Sequence, residues 1–275
     1  MIRKILLFGS TGMLGSYIYD YFRRLSDIEI IKIDYRVANK TLANLENILS
    51  ENGIDEHTCI INCIGLIPQR KSSESRDSEY YLVNSIFPQI LSSICQRHGA
   101  KMIQPTTDCV FSGKREEGLY TEDDLPDETG HYGMSKSLGE PANCTVIRTS
   151  IIGRERFNKC SFLEWVLANS EKEIEGWSNH YWNGITCLEY CKIIRRIIEE
   201  NLFWNGVRHI YSPTPASKYE LACMIRDAFE LDYMRILETK CETPVNKTLS
   251  SKYERMFDIP ELYAQIKELK YFALI

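Results

Sequence analysis

Short apolar, β-branched runs alternate with stretches of helical periodicity through the first half of the chain. Lys4–Phe8, Glu29–Asp34, Cys59–Asn62, Lys101–Thr106 and Cys144–Arg148 read as strands, being brief, apolar and bounded by polar or glycine-containing segments. Between them, Ser16–Leu25, Leu42–Asn52 and Tyr80–His98 read as helices. In the second of these, Leu42, Leu45, Ile48 and Leu49 fall on one face behind Thr41, a candidate N-cap. Strand and helix in strict alternation predict an α/β fold, a doubly wound parallel sheet joined by crossover helices.

After Arg148 the pattern loosens. An aromatic stretch, Trp177-Ser-Asn-His-Tyr-Trp182-Asn-Gly184, leads to a helix near Leu188–Asn201 and a strand at Val207–Tyr211. Ser217-Lys-Tyr-Glu220 has the spacing of a capping box and predicts a helix over Tyr219–Phe229. From Ser250 onward the chain reads as a small helical cap. These segments predict a nucleotide-binding domain over residues 1–150 and a smaller lobe over 151–275, interleaved back into the main sheet. The stretch from Gly113 to Gly130 carries no such pattern and is where disorder is expected.

Composition narrows the classes. The chain is 44% hydrophobic and 26% charged over 275 residues, close to globular averages and enough for a sizeable core. A net charge of −5, spread along the chain, excludes the basic face that nucleic acid or an anionic membrane would require. The apolar run at the N-terminus is too short for a signal peptide, and no later segment is long enough to span a bilayer, so the cytoplasm is expected. Ten cysteines and five histidines form no C-x-x-C pair or thiol–imidazole cluster, so no metal is expected. Cys59, Cys63, Cys95, Cys144 and Cys223 read as reduced, apolar core residues.

Three groups of residues carry candidate chemistry. Gly9-Ser-Thr11-Gly12-Met13-Leu14-Gly15 follows the first strand and opens the first helix, so backbone N–H groups and a helix N-terminus face a pyrophosphate. Asp34 ends the second strand about twenty residues further on, where a carboxylate binds ribose hydroxyls and disfavours a 2′-phosphate. Arg36 argues the other way, leaving NADH and NADPH both open as cofactor. Tyr132 and Lys136, four apart on a helix, share a face; a neighbouring ammonium is expected to lower the phenol's pKa toward neutrality. Thr107 stands at the carboxyl end of the fourth strand, the edge where ligands sit in open parallel sheets.

Together, Gly9-x-x-Gly12-x-x-Gly15, Gln104-Pro-Thr-Thr107-Asp108-Cys-Val-Phe111-Ser-Gly113, Tyr132-Gly-x-Ser-Lys136-x-x-Gly-Glu140 and Val146-Ile-Arg148-Thr-Ser150 resemble the extended short-chain dehydrogenase/reductases of Rossmann-type fold. Within them the sequence looks most like the dTDP-4-dehydrorhamnose reductase branch, with further likeness in Asn183-Gly-Ile-Thr186, in Ser217-Lys-Tyr-Glu-Leu221 and in Leu249-Ser-Ser-Lys-Tyr253. The resemblance implies hydride transfer from NADH or NADPH to C4 of a nucleotide-linked 4-keto-6-deoxy sugar. Thr107 would hold the carbonyl by its hydroxyl, Tyr132 would donate the proton, and Lys136 would bond the nicotinamide ribose. Asn84, Cys63 and Gly65 would line the cofactor, and a homodimer is expected by analogy.

The chain also departs from the pattern. Cys109 stands where related dehydratases carry the second acid of a pair and where reductases usually carry an aromatic. Ile151 replaces the tryptophan that commonly follows Arg-Thr-Ser. Asp108, Trp177 and Trp182 are candidates for the sugar pocket, and the aromatic stretch Trp177–Trp182 fits a core plug between lobes equally well. Two other functions stay open: an epimerase that keeps its NAD bound, and a non-catalytic regulatory subunit that retains the cofactor site.

Overall fold

The computed structural model describes residues 1–25, 27–38, 42–70, 77–115 and 119–274. Among these, six parallel strands form one sheet in the order β2 (Glu29–Ile33), β1 (Lys4–Phe8), β3 (Thr58–Asn62), β4 (Lys101–Thr106), β5 (Thr145–Arg148) and β10 (Gly206–His209). The chain winds outward from β1 in both directions, so the carboxyl ends of β1 and β3 part around a crevice, the position where such sheets take ligands. Phe8 aligns with Ile33 on one side and Asn62 on the other.

Side chains alternate across each strand and both faces are covered, which is why the strands read as nearly unbroken apolar runs. From β1, Ile5 and Leu7 enter a core shared with Tyr17, Ile18 and Phe22 of α1 (Met13–Phe22) and with Ile194 and Ile197 of α7 (Cys187–Glu199). Leu6 and Phe8 face the other way, against Leu45 and Leu49 of α2 (Leu45–Glu51) and Phe87 and Leu91 of α4 (Phe87–Arg97).

Most element boundaries shift by one to three residues from the sequence reading. α1 begins at Met13 rather than Ser16 because the glycine turn delivers the chain directly into the helix at Gly12. α2 begins at Leu45 behind Asn44; Thr41 lies outside the described residues. The segment read as one helix over Tyr80–His98 is α3 (Asp77–Tyr81), a π-turn at Leu82–Ile86, then α4. Pro88 cannot donate to the Asn84 carbonyl, and the ladder widens there.

The second half adds α6 (Phe162–Ala168), parallel pairs of β6 (Ile151–Ile152) with β9 (Ile185–Thr186) and of β12 (Arg235–Thr239) with β7 (Glu173–Trp177), and a three-stranded sheet of β11 (Ala216–Ser217), β8 (His180–Trp182) and β13 (Val245–Asn246). The capping box is present: Ser217 Oγ accepts the Glu220 N–H at 3.1 Å and the Ser217 N–H donates to Glu220 at 2.7 Å, starting α8 at Lys218 and running to Phe229. The tail supplies α9 (Leu262–Tyr271).

The loop expected to be disordered is fastened wherever it is described; residues 116–118 lie outside. Asp127 accepts both the Ser112 N–H and Oγ–H, Asp124 pairs with Arg115 at 2.6 Å, and Tyr120 stacks on Phe111 with centroids 4.1 Å apart. Side-chain carboxylates here do for the turn what ladder hydrogen bonds do for strands, a substitution that periodicity does not register.

Candidate active site

The turn after β1 is built for close approach. Gly9 has φ +72°, and a Cβ there would sit 2.7 Å from the Cys63 carbonyl carbon; one on Gly15 would sit 2.1 Å from the Gly9 oxygen. Glycine at both positions packs α1 down onto the strand ends. Gly12, half-buried, caps α1 with its backbone extended, and no side chain among the described residues bonds the helix's first N–H groups. Those donors, with exposed Thr11 beside half-buried Met13 and buried Leu14, fit a pyrophosphate. Asp34 and Arg36 are exposed just past β2, next to that turn.

A second set of bonds fixes α5 (His131–Leu138), the helix of Tyr132 and Lys136. Asn84, in the π-turn, accepts the Leu66 N–H at 2.9 Å, donates to the Leu66 carbonyl at 3.0 Å and donates to Ser135 Oγ at 3.1 Å. Ser85 Oγ donates to the Ser135 carbonyl at 2.6 Å. The π-turn thus clamps the loop after β3 to α5, and Asn84 holds position with its whole amide. Lys136 Nζ reaches Gly65, where a Cβ would lie 2.7 Å away. Burial pushes the lysine down to about 8, against the pull of Cys63 and Glu140, and pushes the Cys63 thiol up to about 12.

Thr107 follows β4 directly and caps a 3-10 turn, Asp108–Val110. Its Oγ1 accepts the Cys109 N–H at 3.1 Å and donates to Asp108 Oδ1 at 3.1 Å. Across from it stands Tyr132, half-buried like Thr107. Burial shifts the phenol above its ordinary range; Cys109 and Asp108 push the same way, and only the Thr107 hydroxyl favours the phenolate. This reverses the expected direction. The Lys136 ammonium points to the β3 loop instead of the phenol, so desolvation decides the sign.

From the second half come residues the sequence reading passed over. Lys218 Nζ lies 4.7 Å from the Phe162 ring centroid and 5.3 Å from that of Trp182. It also feels the charge of Asp108, Cys109 and Lys247, so it faces the Thr107–Cys109 turn across the cleft. Asp108, 4% exposed, is raised by burial against the pull of Lys247 and Lys218. Trp182, also 4% exposed, belongs to the core and flanks the cleft only through Lys218. Trp177, 43% exposed, packs edge-on against His180 at 4.7 Å and joins none of the Thr107, Tyr132 or Lys136 contacts. The available signal was Lys218 inside the capping box, but a cap motif fixes where a helix starts and not what its first side chain faces.

Behind the site runs a buried ion network. Arg148, ending β5, makes two bonds to Glu140 at 3.0 and 2.6 Å and a third to His209 Nε2 at 3.0 Å. His209 Nδ1 faces the carbonyls of Ser250 and Tyr120 at 2.7 and 3.1 Å and therefore carries the hydrogen, leaving Nε2 to accept from Arg148.

A doubly wound parallel sheet with a glycine turn at its crevice defines an α/β protein of the Rossmann type. Residues 3–258 match the family model described as RmlD substrate binding domain, and the chain belongs to that family. It is similar to the spore coat polysaccharide biosynthesis protein SpsK of Bacillus subtilis (strain 168), 26% identical over 259 residues, covering 91% of this chain and 87% of that protein. It is also similar to methionine adenosyltransferase 2 subunit beta of Rattus norvegicus, 24% identical over 257 residues, covering 83% of this chain and 73% of that one. Among solved structures, dTDP-4-dehydrorhamnose reductase of Bacillus anthracis str. Ames in complex with NADP superposes with a TM-score of 0.81 at 20% identity, covering 98% of each chain.

Proposed function

We propose that this protein reduces the C4 keto group of a nucleotide-linked 6-deoxy-4-keto sugar, using NADH or NADPH, in the synthesis of deoxysugars for polysaccharide. The observation that carries the reading is the approach of Tyr132 to the Thr107 turn from a helix that also presents Lys136 at the crevice. The family match and the likeness to a polysaccharide biosynthesis protein and to a reductase structure with NADP support it.

Residues 1–150 bind the cofactor: Gly9, Thr11, Gly12, Met13, Leu14 and Gly15 at the pyrophosphate, Asp34 and Arg36 at the adenosine ribose, and Cys63, Gly65 and Lys136 toward the nicotinamide. Bound there, the reduced nicotinamide supplies the hydride. Residues 151–275 hold the sugar, apart from β10, which completes the sheet. Thr107 orients the keto oxygen together with Tyr132. A phenol shifted upward stays protonated at neutral pH and gives its proton only to a strong base; the alkoxide that develops at C4 is one. Asp108 stands alone as an acid beside Thr107, with Cys109 in place of a second, which suits reduction over dehydration. The protein works in the cytoplasm, as a homodimer.

The test is incubation with dTDP-4-dehydrorhamnose and NADH or NADPH, followed at the nicotinamide absorbance. Consumption of one cofactor per sugar reduced is expected. The likeness to a methionine adenosyltransferase subunit favours a second reading, a non-catalytic subunit that keeps the dinucleotide site. Cofactor binding without turnover on any nucleotide-linked keto sugar would select it.

A further inference from the structure

Lys218 is a half-buried cation whose one acidic influence, Asp108, is shared with Lys247. Its ammonium sits over the rings of Phe162 and Trp182 at 4.7 and 5.3 Å, and no carboxylate among the described residues pairs with it. Its neighbour Lys247 makes a long ion-pair contact to Glu128, 3.9 Å, and shares Asp108 with it. Cation–π contact steadies the charge, but ring faces leave three N–H donors without acceptors. Two ammoniums set against one carboxylate leave positive charge unmatched, so the site is complete only when something negative enters it.

We infer that Lys218, with Lys247 beside it, forms an anion subsite that takes a phosphate of a nucleoside diphosphate. The inference rests on the proposed sugar-nucleotide reading and adds to it the side of the cleft where the diphosphate lies. The ammonium faces the Thr107–Cys109 turn, and C4 and the anomeric carbon lie across a pyranose ring from each other. A sugar with its keto carbon at Thr107 and Tyr132 therefore directs its anomeric phosphate away from them, toward the α6 and α8 side. A neutral sugar hydroxyl would accept one hydrogen bond there but would leave the charge unmatched; a phosphate oxygen meets both needs.

The subsite is tested by thermal denaturation and calorimetric titration of the full chain with dTDP, UDP, CDP and GDP, the corresponding nucleosides, and NADPH. In wild type at least one diphosphate should bind and raise Tm, and more strongly than its nucleoside. In Lys218→Met the ligand-free Tm should equal or exceed wild type, because an unpaired charge is gone. Diphosphate affinity should fall tenfold or more, as expected for a charged hydrogen bond of about 1.5–3 kcal/mol, with NADPH affinity within about twofold of wild type. Lys218→Gln serves the same purpose should the methionine variant misfold. Diphosphate binding to the variant within about twofold of wild type overturns the subsite. Wild type that binds NADPH but no nucleoside diphosphate overturns the sugar-nucleotide reading itself.

Discussion

Thr107 gives its one hydroxyl hydrogen to Asp108 at 3.1 Å while its oxygen accepts the Cys109 N–H at 3.1 Å. One lone pair remains and can accept the Tyr132 O–H, whereas the pull of Thr107 toward the phenolate needs its hydrogen turned from Asp108 to the phenol oxygen. In the ligand-free protein Thr107 is thus an acceptor toward the phenol, and a substrate carbonyl can use its hydrogen only when Asp108 releases it. Thr107→Val should lower kcat/KM roughly 10²-fold, the usual scale for one lost site hydrogen bond, and Thr107→Ser should restore most of it. Steady-state kinetics of both variants check this; equal activity of Val and Ser would remove the hydroxyl from the chemistry.

Tyr132→Phe deletes the proposed proton donor and little else, since the ring keeps its edge-on contact with Tyr80 at 6.2 Å. Turnover should drop by roughly 10²–10⁴ with cofactor affinity nearly unchanged. Turnover above about a tenth of wild type would point to another acid.

Asp34 follows β2, whose last residue, Ile33, aligns with Phe8 just before the glycine turn. Asp34→Ala should therefore raise NADPH use relative to NADH by removing the charge that opposes a 2′-phosphate. The ratio of kcat/KM for the two cofactors is the measure, and an unchanged ratio takes Asp34 out of the ribose site.

Lys136 is held down to about 8 by burial, so in the free protein its ammonium is lost as pH rises through that value, more than two units below an ordinary lysine. Cofactor affinity should accordingly weaken from about pH 8 upward. Titrations of NADPH between pH 7 and 9 should show the decline in wild type and a weak, flat profile in Lys136→Met.

His209 is pushed down to about 4, first by burial and then by Arg148. An unfolded histidine titrates near 6.5, so between these values the unfolded chain binds a proton that the fold refuses. The stability from neutral His209 is whole above pH 6.5 and declines as pH falls toward 4, by up to about 1.4 kcal/mol per pH unit. Urea midpoints at pH 7.5, 6 and 5 should show that slope, and His209→Gln, less stable throughout, should lose it.

The sheet was legible because both of its faces are covered, which writes each strand as an apolar run; Lys101–Thr106 matches to the residue. The glycine turn was legible because close backbone approach admits no side chain. What escaped is what depends on pairs distant in sequence. The clamp of Asn84 on Leu66 and Ser135, the meeting of Lys218 with Phe162 and Trp182, and the Arg148–His209 bond each join segments that no local period connects. The direction of the Tyr132 shift escaped for a related reason. Helical spacing puts Lys136 on the same face, but the long lysine stem reaches Gly65, and burial then governs the phenol.

The placement of β10 bears on how such a chain can be cut or recombined. Its four residues pair in parallel with β5, yet they come after the segments that supply Phe162 and Trp182. Ending the chain at residue 150 would strip the sheet of its last strand and lay bare the backbone of Thr145–Arg148, buried throughout in the intact molecule. An open edge of that kind invites pairing with a second chain. The Arg148–Glu140 pair would also lose His209. Grafting a new sugar pocket onto this scaffold therefore means replacing loops between 151 and 205, and again after 209, with the intervening strand left in place.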